Sequence, residues 1–217
     1  MPAGKDISAM AAGSRFSPEF LFWAASVGVV FVTGYLGIPR ILGERDGYDL
    51  SIGVESFIPY AGWAAIPYTL GYVIILGPAI PFHEMHFVRR GAAAYLLAMA
   101  ICFSLFYLVP VRCIPPPATG PIDGFLLPRL PWLDDRGWNA FPSLHVAMAT
   151  LACLSLLKVS HWVSLAALLI WTLVFASTLL LKRHFLVDGL AGAGLALTIH
   201  FRVVEPEFRR RGVVWAL

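Results

Sequence analysis

The chain has 217 residues, of which 59% are hydrophobic and 13% are charged. Soluble domains usually carry about 25% charged residues, so the composition argues against a soluble protein. The formal net charge is only +3, and no basic stripe is interleaved with aromatic residues, which argues against nucleic-acid binding. The three cysteines, Cys102, Cys113 and Cys153, match neither a disulfide framework nor a zinc-binding pattern. These properties predict one integral membrane domain covering residues 1–217.

Long apolar segments predict an all-α fold with six transmembrane helices in a bundle. A helix that crosses the hydrocarbon needs about 20 mainly apolar residues. The predicted spans are residues 20–38, a segment within 57–82, and residues 92–111, 143–157, 162–181 and 185–201. Prolines should bend or end the second span. The bundle therefore covers residues 20–201, between an N-terminal tail at about residues 1–18 and a basic C-terminal tail at 202–217.

Six spans place both termini, and the loops after the second and fourth spans, on one side of the membrane. The first apolar segment is longer than the roughly 7–15 residues of a signal-peptide core, so we interpret it as a retained span. The side with the termini has nine lysines and arginines and the other side has seven. The positive-inside rule therefore favours cytoplasmic termini in a plasma or inner membrane. The loops after the first, third and fifth spans are then extracytoplasmic.

Two short stretches carry reactive side chains on this second side. Ser143 and His145 begin the fourth span, where free N–H groups and a partial positive charge suit a phosphate. His184 and Asp188 are four residues apart at the start of the sixth span, which places them on one helix face. The carboxylate can accept a hydrogen bond from one imidazole nitrogen and leave the other nitrogen free to attack.

Cationic residues on the same side complete a predicted phosphate site. Arg112, Lys182 and Arg183 lie in the loops that hold the histidines, and arginine can bind phosphate oxygens in bidentate fashion. Together these groups supply the nucleophile, the acid and the charge stabilisation that phosphoryl transfer needs. Carboxylates do not cluster as magnesium ligands do, so we expect no metal and no other cofactor.

These stretches resemble two motifs of the type-2 phosphatidic acid phosphatase superfamily, which contains membrane lipid phosphatases and phosphotransferases. The second motif of the superfamily is Pro-Ser-Gly-His, and residues 142–145 match it except that Leu144 replaces the glycine. The third motif is Ser-Arg-x5-His-x3-Asp, and Thr178 replaces its arginine here. The matching residues of the third motif are Ser177, His184 and Asp188. The first motif, Lys-x6-Arg-Pro, is absent.

The resemblance implies a role for each matching side chain in a six-helix bundle. His184 would form a phosphohistidine, Asp188 would orient it, and His145 would protonate the leaving oxygen. Ser143 would help to hold the phosphate. From their position on the same side, Arg112 and Arg183 are further candidates for phosphate binding.

Three functions remain open at this level. The favoured one is a metal-independent lipid phosphatase, because water as acceptor needs no second pocket. Leu144 and the sequence HFLVD are similar to the inositol-phosphorylceramide and sphingomyelin synthase branch, which implies transfer of a phospho-head-group to a lipid alcohol. The missing first motif also allows a non-catalytic lipid-binding or scaffold protein. The expected partners are a membrane lipid phosphate and the bilayer, and the sequence favours no particular oligomeric state.

Overall fold

A computed structural model of the chain describes residues 17–43, 46–130 and 137–216. Its α-helices are α1 Pro18–Leu42, α2 Ala65–Ile74, α3 Met85–Leu108, α4 Asp123–Leu126, α5 Leu144–Leu156, α6 His161–Leu180, α7 Leu186–Ile199 and α8 Glu205–Arg210. A π-helical segment, His200–Val204, joins α7 to α8. Within the described ranges, the β-structure consists of an isolated bridge between Tyr48 and Val111.

Among the residues that the structure describes, five helical segments are long and apolar enough to cross a membrane. They are Pro18–Leu42, Gly62–Ala79, Met85–Leu108, His161–Leu180 and Leu186–Arg210. The fourth predicted span is the shorter helix α5, which has 13 residues and is buried on all sides except at Leu154. The other helices therefore surround α5 at the centre of the bundle. The all-α, polytopic membrane fold predicted from the sequence is confirmed.

Prolines determine the shape of the second span, as predicted. Pro67 lies in the first turn of α2, where a missing N–H group costs nothing. The α-helix ends at Ile74, and a 3₁₀ turn at Gly77–Ala79 contains Pro78. A ten-residue helix is about 15 Å long, which is half of the roughly 30 Å of a hydrocarbon core. The second span is therefore a short helix with an irregular end.

Contacts between helix ends define two faces of the bundle. On the face that we call the terminal face, Arg89 pairs with Glu19 at 2.5 Å, and the ring of Phe208 packs against Phe82. On the opposite face, which we call the site face, the N–H groups of Ser143 and Ala61 donate to the carbonyls of Asp188 and Leu180. Successive spans therefore end on alternate faces of the bundle, as the predicted order of the spans requires.

A buried ion cluster lies at the terminal face. Lys158 Nζ is 2.8 Å from Glu205 Oε2, and the two side chains are 0% and 4% exposed. Arg209 Nε donates to Glu205 Oε1 at 3.0 Å, and His200 Nε2 lies 3.5 Å from Glu205 Oε2. The ring of Trp215 covers Lys158 Nζ at 3.7 Å. The segment after residue 202, predicted as a tail, is thus helical to Arg210 and packs against the bundle.

Candidate active site

His184 lies in the short connection between α6 and α7. Its Nδ1 is 3.0 Å from the carbonyl oxygen of Ala140, which comes from the long loop before α5. Because a carbonyl can only accept, Nδ1 carries the proton of this bond and Nε2 keeps its lone pair. The imidazole lines two cavities, a small one of about 30 Å³ and a larger one of about 550 Å³. The buried ring therefore lies next to open space.

Asp188 is fully buried in the first turn of α7. Its Oδ2 accepts a 2.8 Å hydrogen bond from the N–H of Phe185 and lies 3.7 Å from His184 Nδ1. A distance of 3.7 Å is too long for a hydrogen bond, so the predicted bond between the Asp188 carboxylate and the imidazole does not form. His184 Nδ1 bonds to the Ala140 carbonyl instead. The Asp188 carboxylate therefore lies beside the imidazole without a hydrogen bond to it.

Ser143 caps the start of α5. Its Oγ accepts from the N–H of Val146 at 3.3 Å, and its own N–H donates to the Asp188 carbonyl at 2.9 Å. Helix α7 approaches this point closely because residue 192 is glycine, where a Cβ would lie 2.3 Å from the Ser143 oxygen. Ser143 is fully buried and lines neither cavity at His184. It therefore fixes α5 against α7, and its hydroxyl does not face the two cavities.

His145 packs against α2 and does not line either cavity. Its ring stacks on Tyr68 at 4.3 Å and meets Tyr72 edge-on at 4.6 Å. Residue 71 must be small, since a Cβ there would lie 2.3 Å from His145 Nε2. Since Tyr68 lines the small cavity, a group bound there reaches His145 only after the tyrosine ring moves.

The two arginines predicted to bind phosphate each line one cavity next to His184. Arg183 lines the small cavity, and Arg112 lines the larger one, with its guanidinium 5.2 Å above the ring of Trp138. Lys182, the third predicted cation, donates through Nζ to the carbonyl of Glu55 at 2.6 Å and also to that of Ile58. Its charge therefore holds the chain around residue 55, whereas the arginines remain next to the cavities.

Glu55 was not predicted as a site residue, yet it holds the segment that carries His184. Its Oε1 accepts from the N–H of Leu186 at 3.0 Å, and its Oε2 accepts from Ile52 at 3.1 Å. Partial burial pushes the pKa of Glu55 upward, but hydrogen bonds from the backbone N–H groups of Leu186, Glu55 and Ile52 outweigh it, so the pKa is lowered. The carboxylate is therefore charged at neutral pH and anchors the start of α7.

The sequence contains little that would have revealed the other residues around His184. Ala140 contributes only its carbonyl, and Tyr68 lies within an apolar segment. Trp138 and Asn139, which line the small cavity, lie four and three residues before the first residue of the second motif. Nearness to that motif was thus the only signal for any of them.

A comparison with protein families identifies the chain. The profile described as the PAP2 superfamily matches residues 56–201, about two thirds of the sequence. The chain belongs to the PAP2 superfamily. No curated protein and no solved structure matches the chain.

The PAP2 match contains every predicted site residue. The residues are His145, His184, Asp188, Ser143, Arg112 and Arg183. Members of the superfamily are phosphatases or phosphotransferases, so the chain is an integral membrane protein with a lipid-related function of this class. No group of three or more His, Cys, Asp or Glu side chains that could hold a metal ion occurs in the described ranges.

One PAP2 motif position has lost its cation in this chain. Thr178, which replaces the arginine of the third motif, is fully buried, and its Oγ1 donates to the Phe175 carbonyl at 2.8 Å. It therefore cannot supply charge to a phosphate. Arg183, five residues later, lines the small cavity beside His184.

Proposed function

We propose that the protein is a lipid phosphatase of the membrane that hydrolyses a lipid phosphate ester through a phosphohistidine on His184. The observation that carries the proposal is the hydrogen bond from His184 Nδ1 to the Ala140 carbonyl. It leaves Nε2 unprotonated at a point where one cavity contains Arg183 and the other contains Arg112. A nucleophile between two cations is what attack on an anionic phosphate requires.

The proposed first step forms a bond between His184 Nε2 and phosphorus while the bond between phosphorus and the lipid oxygen breaks. The lipid oxygen leaves with the electron pair and takes a proton from His145, which begins the cycle as the imidazolium, after Tyr68 has moved. The phosphorylated imidazole still carries its Nδ1 proton and is positively charged. Asp188, 3.7 Å away, stabilises this charge.

In the second step, water attacks phosphorus and gives one proton to His145. The bond between phosphorus and His184 breaks, and its electron pair returns to Nε2. Inorganic phosphate then leaves from Arg112 and Arg183. His145 is protonated again, so the enzyme regains its starting state without a metal or another cofactor.

A transferase is the second candidate, and the larger cavity supports it. The cavity of about 550 Å³ beside His184 is also lined by Asp49 and Glu55. A hydrogen bond from the backbone N–H of Ser51 lowers the pKa of Asp49, and the pKa of Glu55 is lowered too. Two carboxylates that remain charged can accept hydrogen bonds from a polyol. An alcohol in this cavity would replace water as the acceptor.

The deciding experiment uses the purified protein in detergent with phosphatidate labelled in its phosphate. We expect an acid-labile, base-stable label on wild-type protein, together with release of phosphate that resists chelators. His184→Ala should show neither, whereas His83→Ala, which changes an exposed histidine, should behave as wild type. Label that persists in His184→Ala would exclude the phosphohistidine. Activity lost with a chelator and restored by magnesium would exclude the metal-free mechanism.

The same assay separates the two candidates and the non-catalytic alternative. Head-group transfer to an added polyol without phosphate release would establish the transferase. Absence of label, release and transfer across a panel of lipid phosphates would favour the non-catalytic alternative.

We also propose that the site face is extracytoplasmic, which the balance of charged residues supports. The three native cysteines are all buried, so an introduced cysteine can report its own side. Ser51→Cys on the site face should react with a membrane-impermeant maleimide in intact cells, and His83→Cys on the terminal face should not. The reverse pattern would contradict this orientation.

A further inference from the structure

An exposed apolar turn lies on the site face, shortly before the second span. It is the 3₁₀ helix Val54–Phe57, in which the side chains of Val54 and Phe57 are 44% and 87% exposed. Side chains three residues apart eclipse each other in a 3₁₀ helix, so these two share one edge of the turn. Exposed apolar surface of this kind marks a contact with a membrane or with another protein.

The rest of the apolar turn is fixed to the protein. Glu55 points toward the start of α7, where its Oε1 accepts from the N–H of Leu186 at 3.0 Å. Ser56 Oγ donates to the carbonyl of Gly53 at 2.6 Å, which closes the turn on itself. The two apolar side chains are therefore presented by a segment that hydrogen bonds hold in place, and their exposure is a property of the fold.

Hydrogen bonds also place the turn level with the end of a spanning helix. Lys182, two residues after α6, donates through Nζ to the carbonyls of Glu55 and Ile58. The N–H of Ala61 donates at 3.0 Å to the carbonyl of Leu180, the last residue of α6. Helix α6 is long and apolar enough to cross the membrane. Because such a helix ends where hydrocarbon gives way to head groups, the turn lies at this boundary.

The lipid-facing surface of the second span begins next to the turn. A row of exposed side chains at the spacing of one helix face consists of Trp63, Ile66, Leu70 and Val73. The segment Gly62–Ala79 is apolar enough to span, so this row faces lipid. Trp63 is at the start of the segment, and tryptophan is enriched at the interface between membrane and water. The interface therefore lies six residues after Phe57 in the chain.

We propose that the edge formed by Val54 and Phe57 inserts into the bilayer interface on the site face and contacts the acyl chains of that leaflet. The bilayer fits this edge because the turn is held level with the end of α6 and adjoins the lipid-facing row of the second span. Insertion would bring Glu55, and the larger cavity that Glu55 lines, to the depth of the lipid phosphate groups. This contact does not depend on the proposed chemistry at His184.

Spin labels on introduced cysteines measure the contact in nanodiscs of phosphatidylcholine. The three native cysteines are buried, so the label is directed to the introduced one. Phe57→Cys tests the turn, Ser51→Cys is a matched exposed position earlier in the same loop, and Leu70→Cys gives the reference for lipid. Power saturation compares collisions with oxygen, which concentrates in hydrocarbon, and collisions with a water-soluble nickel chelate.

We expect the label at residues 57 and 70 to be more accessible to oxygen than to the nickel chelate, and the label at residue 51 to show the reverse. Nickel accessibility at residue 57 equal to that at residue 51 would overturn the proposal, because the turn would then lie in water. Low accessibility to both reagents would overturn it as well, because a second copy of the chain or another protein would then cover the edge. If Phe57→Cys does not fold, Val54→Cys on the same edge decides the question.

Discussion

Each face of the bundle buries a histidine beside a carboxylate, and the two pairs differ in their surroundings. At the terminal face, Glu205 contacts the ammonium of Lys158 at 2.8 Å, the guanidinium of Arg209 at 3.0 Å and the ring of His200 at 3.5 Å. Its negative charge is compensated on several sides, and His200 is fully buried. The arrangement stabilises the fold and leaves the histidine inaccessible.

At the site face, Asp188 has a histidine at 3.7 Å, and no lysine or arginine of the described residues forms an ion pair with it. Its Oδ2 accepts a hydrogen bond from the backbone N–H of Phe185. His184 lines two cavities. The carboxylate therefore lies beside a histidine that is next to open space. Charge compensation and access, rather than residue type, distinguish the two pairs.

Replacing the two histidines should give the largest contrast. His184→Ala should reduce turnover by about 10⁴-fold or more, because no other group can form the covalent intermediate. The melting temperature should change little, since a hydrogen bond contributes only about 1 kcal/mol. His200→Ala should keep its activity and lose about 2–4 kcal/mol of stability through a cavity. Turnover and thermal unfolding of both variants check this. Similar loss of activity in both would remove the distinction between the faces.

Neutral variants of Asp188 and Glu205 should have different effects, the first on turnover and the second on stability. Asp188→Asn removes a charge 3.7 Å from His184, worth about 4 kcal/mol at an effective dielectric of 20, so turnover should fall by about 10³-fold. The tautomer should be unchanged, because Ala140 holds Nδ1. Glu205→Gln should instead destabilise the protein by roughly 3–5 kcal/mol, because Lys158 is left buried and unpaired. Single-turnover rates and unfolding midpoints measure the two outcomes. A rate unaffected by Asp188→Asn would rule out the electrostatic role.

Variants of Glu55 test whether the position of His184 affects turnover when His184 itself is unchanged. Glu55→Ala releases the N–H of Leu186 at the start of α7 and should lower kcat by about 10²-fold, the effect of a displacement of about 1 Å, with KM changed less. Glu55→Gln keeps an acceptor oxygen and should recover most of this loss. Steady-state kinetics of both variants distinguish positioning from a general loss of folded protein. Equal activity of the alanine and glutamine variants would contradict the positioning role.

The smallest expected effect concerns the long loop of the site face. Tyr60 donates to Asp123 at 2.5 Å. Burial and this bond raise the pKa of Tyr60 to about 12, and the bond from Tyr60 lowers the pKa of Asp123. A lowered carboxyl pKa gives stability that is present above the ordinary value of 3.8 and is lost as the pH falls through the lowered value.

Tyr60→Phe should therefore lower the melting temperature by about 2–4 °C at pH 7, and the difference should shrink below about pH 4. Thermal unfolding between pH 3 and pH 7 measures it. A difference that stays constant with pH would show that the hydrogen bond to Asp123 is not its source.

Much of the helical framework followed from local patterns. The start of α5 was predicted at its observed place, because a proline and Ser143 precede an apolar run and serine is a preferred cap. Helix α3 begins at Met85, seven residues before the predicted start. The additional segment contains Arg89 and Arg90 and extends the helix toward the terminal face. Charged residues in the first turns of a helix cannot be recognised by hydropathy alone.

Sequence patterns identified the motif side chains of the candidate site and, from their position, Arg112 and Arg183, but not the groups that surround them. His184 and Asp188 were found by their spacing, but the bond to Ala140 depends on a carbonyl, which every residue possesses. Glu55 reaches Leu186 across 131 positions of the sequence. No local pattern encodes such a contact, because it arises only when the loops fold together on the site face.

The sequence by itself determined that the chain lies in a membrane, that it is helical, and which of its residues match the PAP2 motifs. These conclusions depend on apolar length and on motif spacing, which are local properties. Only the tertiary structure decided that His184 reaches two cavities, that Tyr68 covers His145, and that Lys182 holds the backbone near Glu55 instead of a phosphate. The physical reason is that access, charge compensation and hydrogen-bond partners depend on segments far apart in the chain.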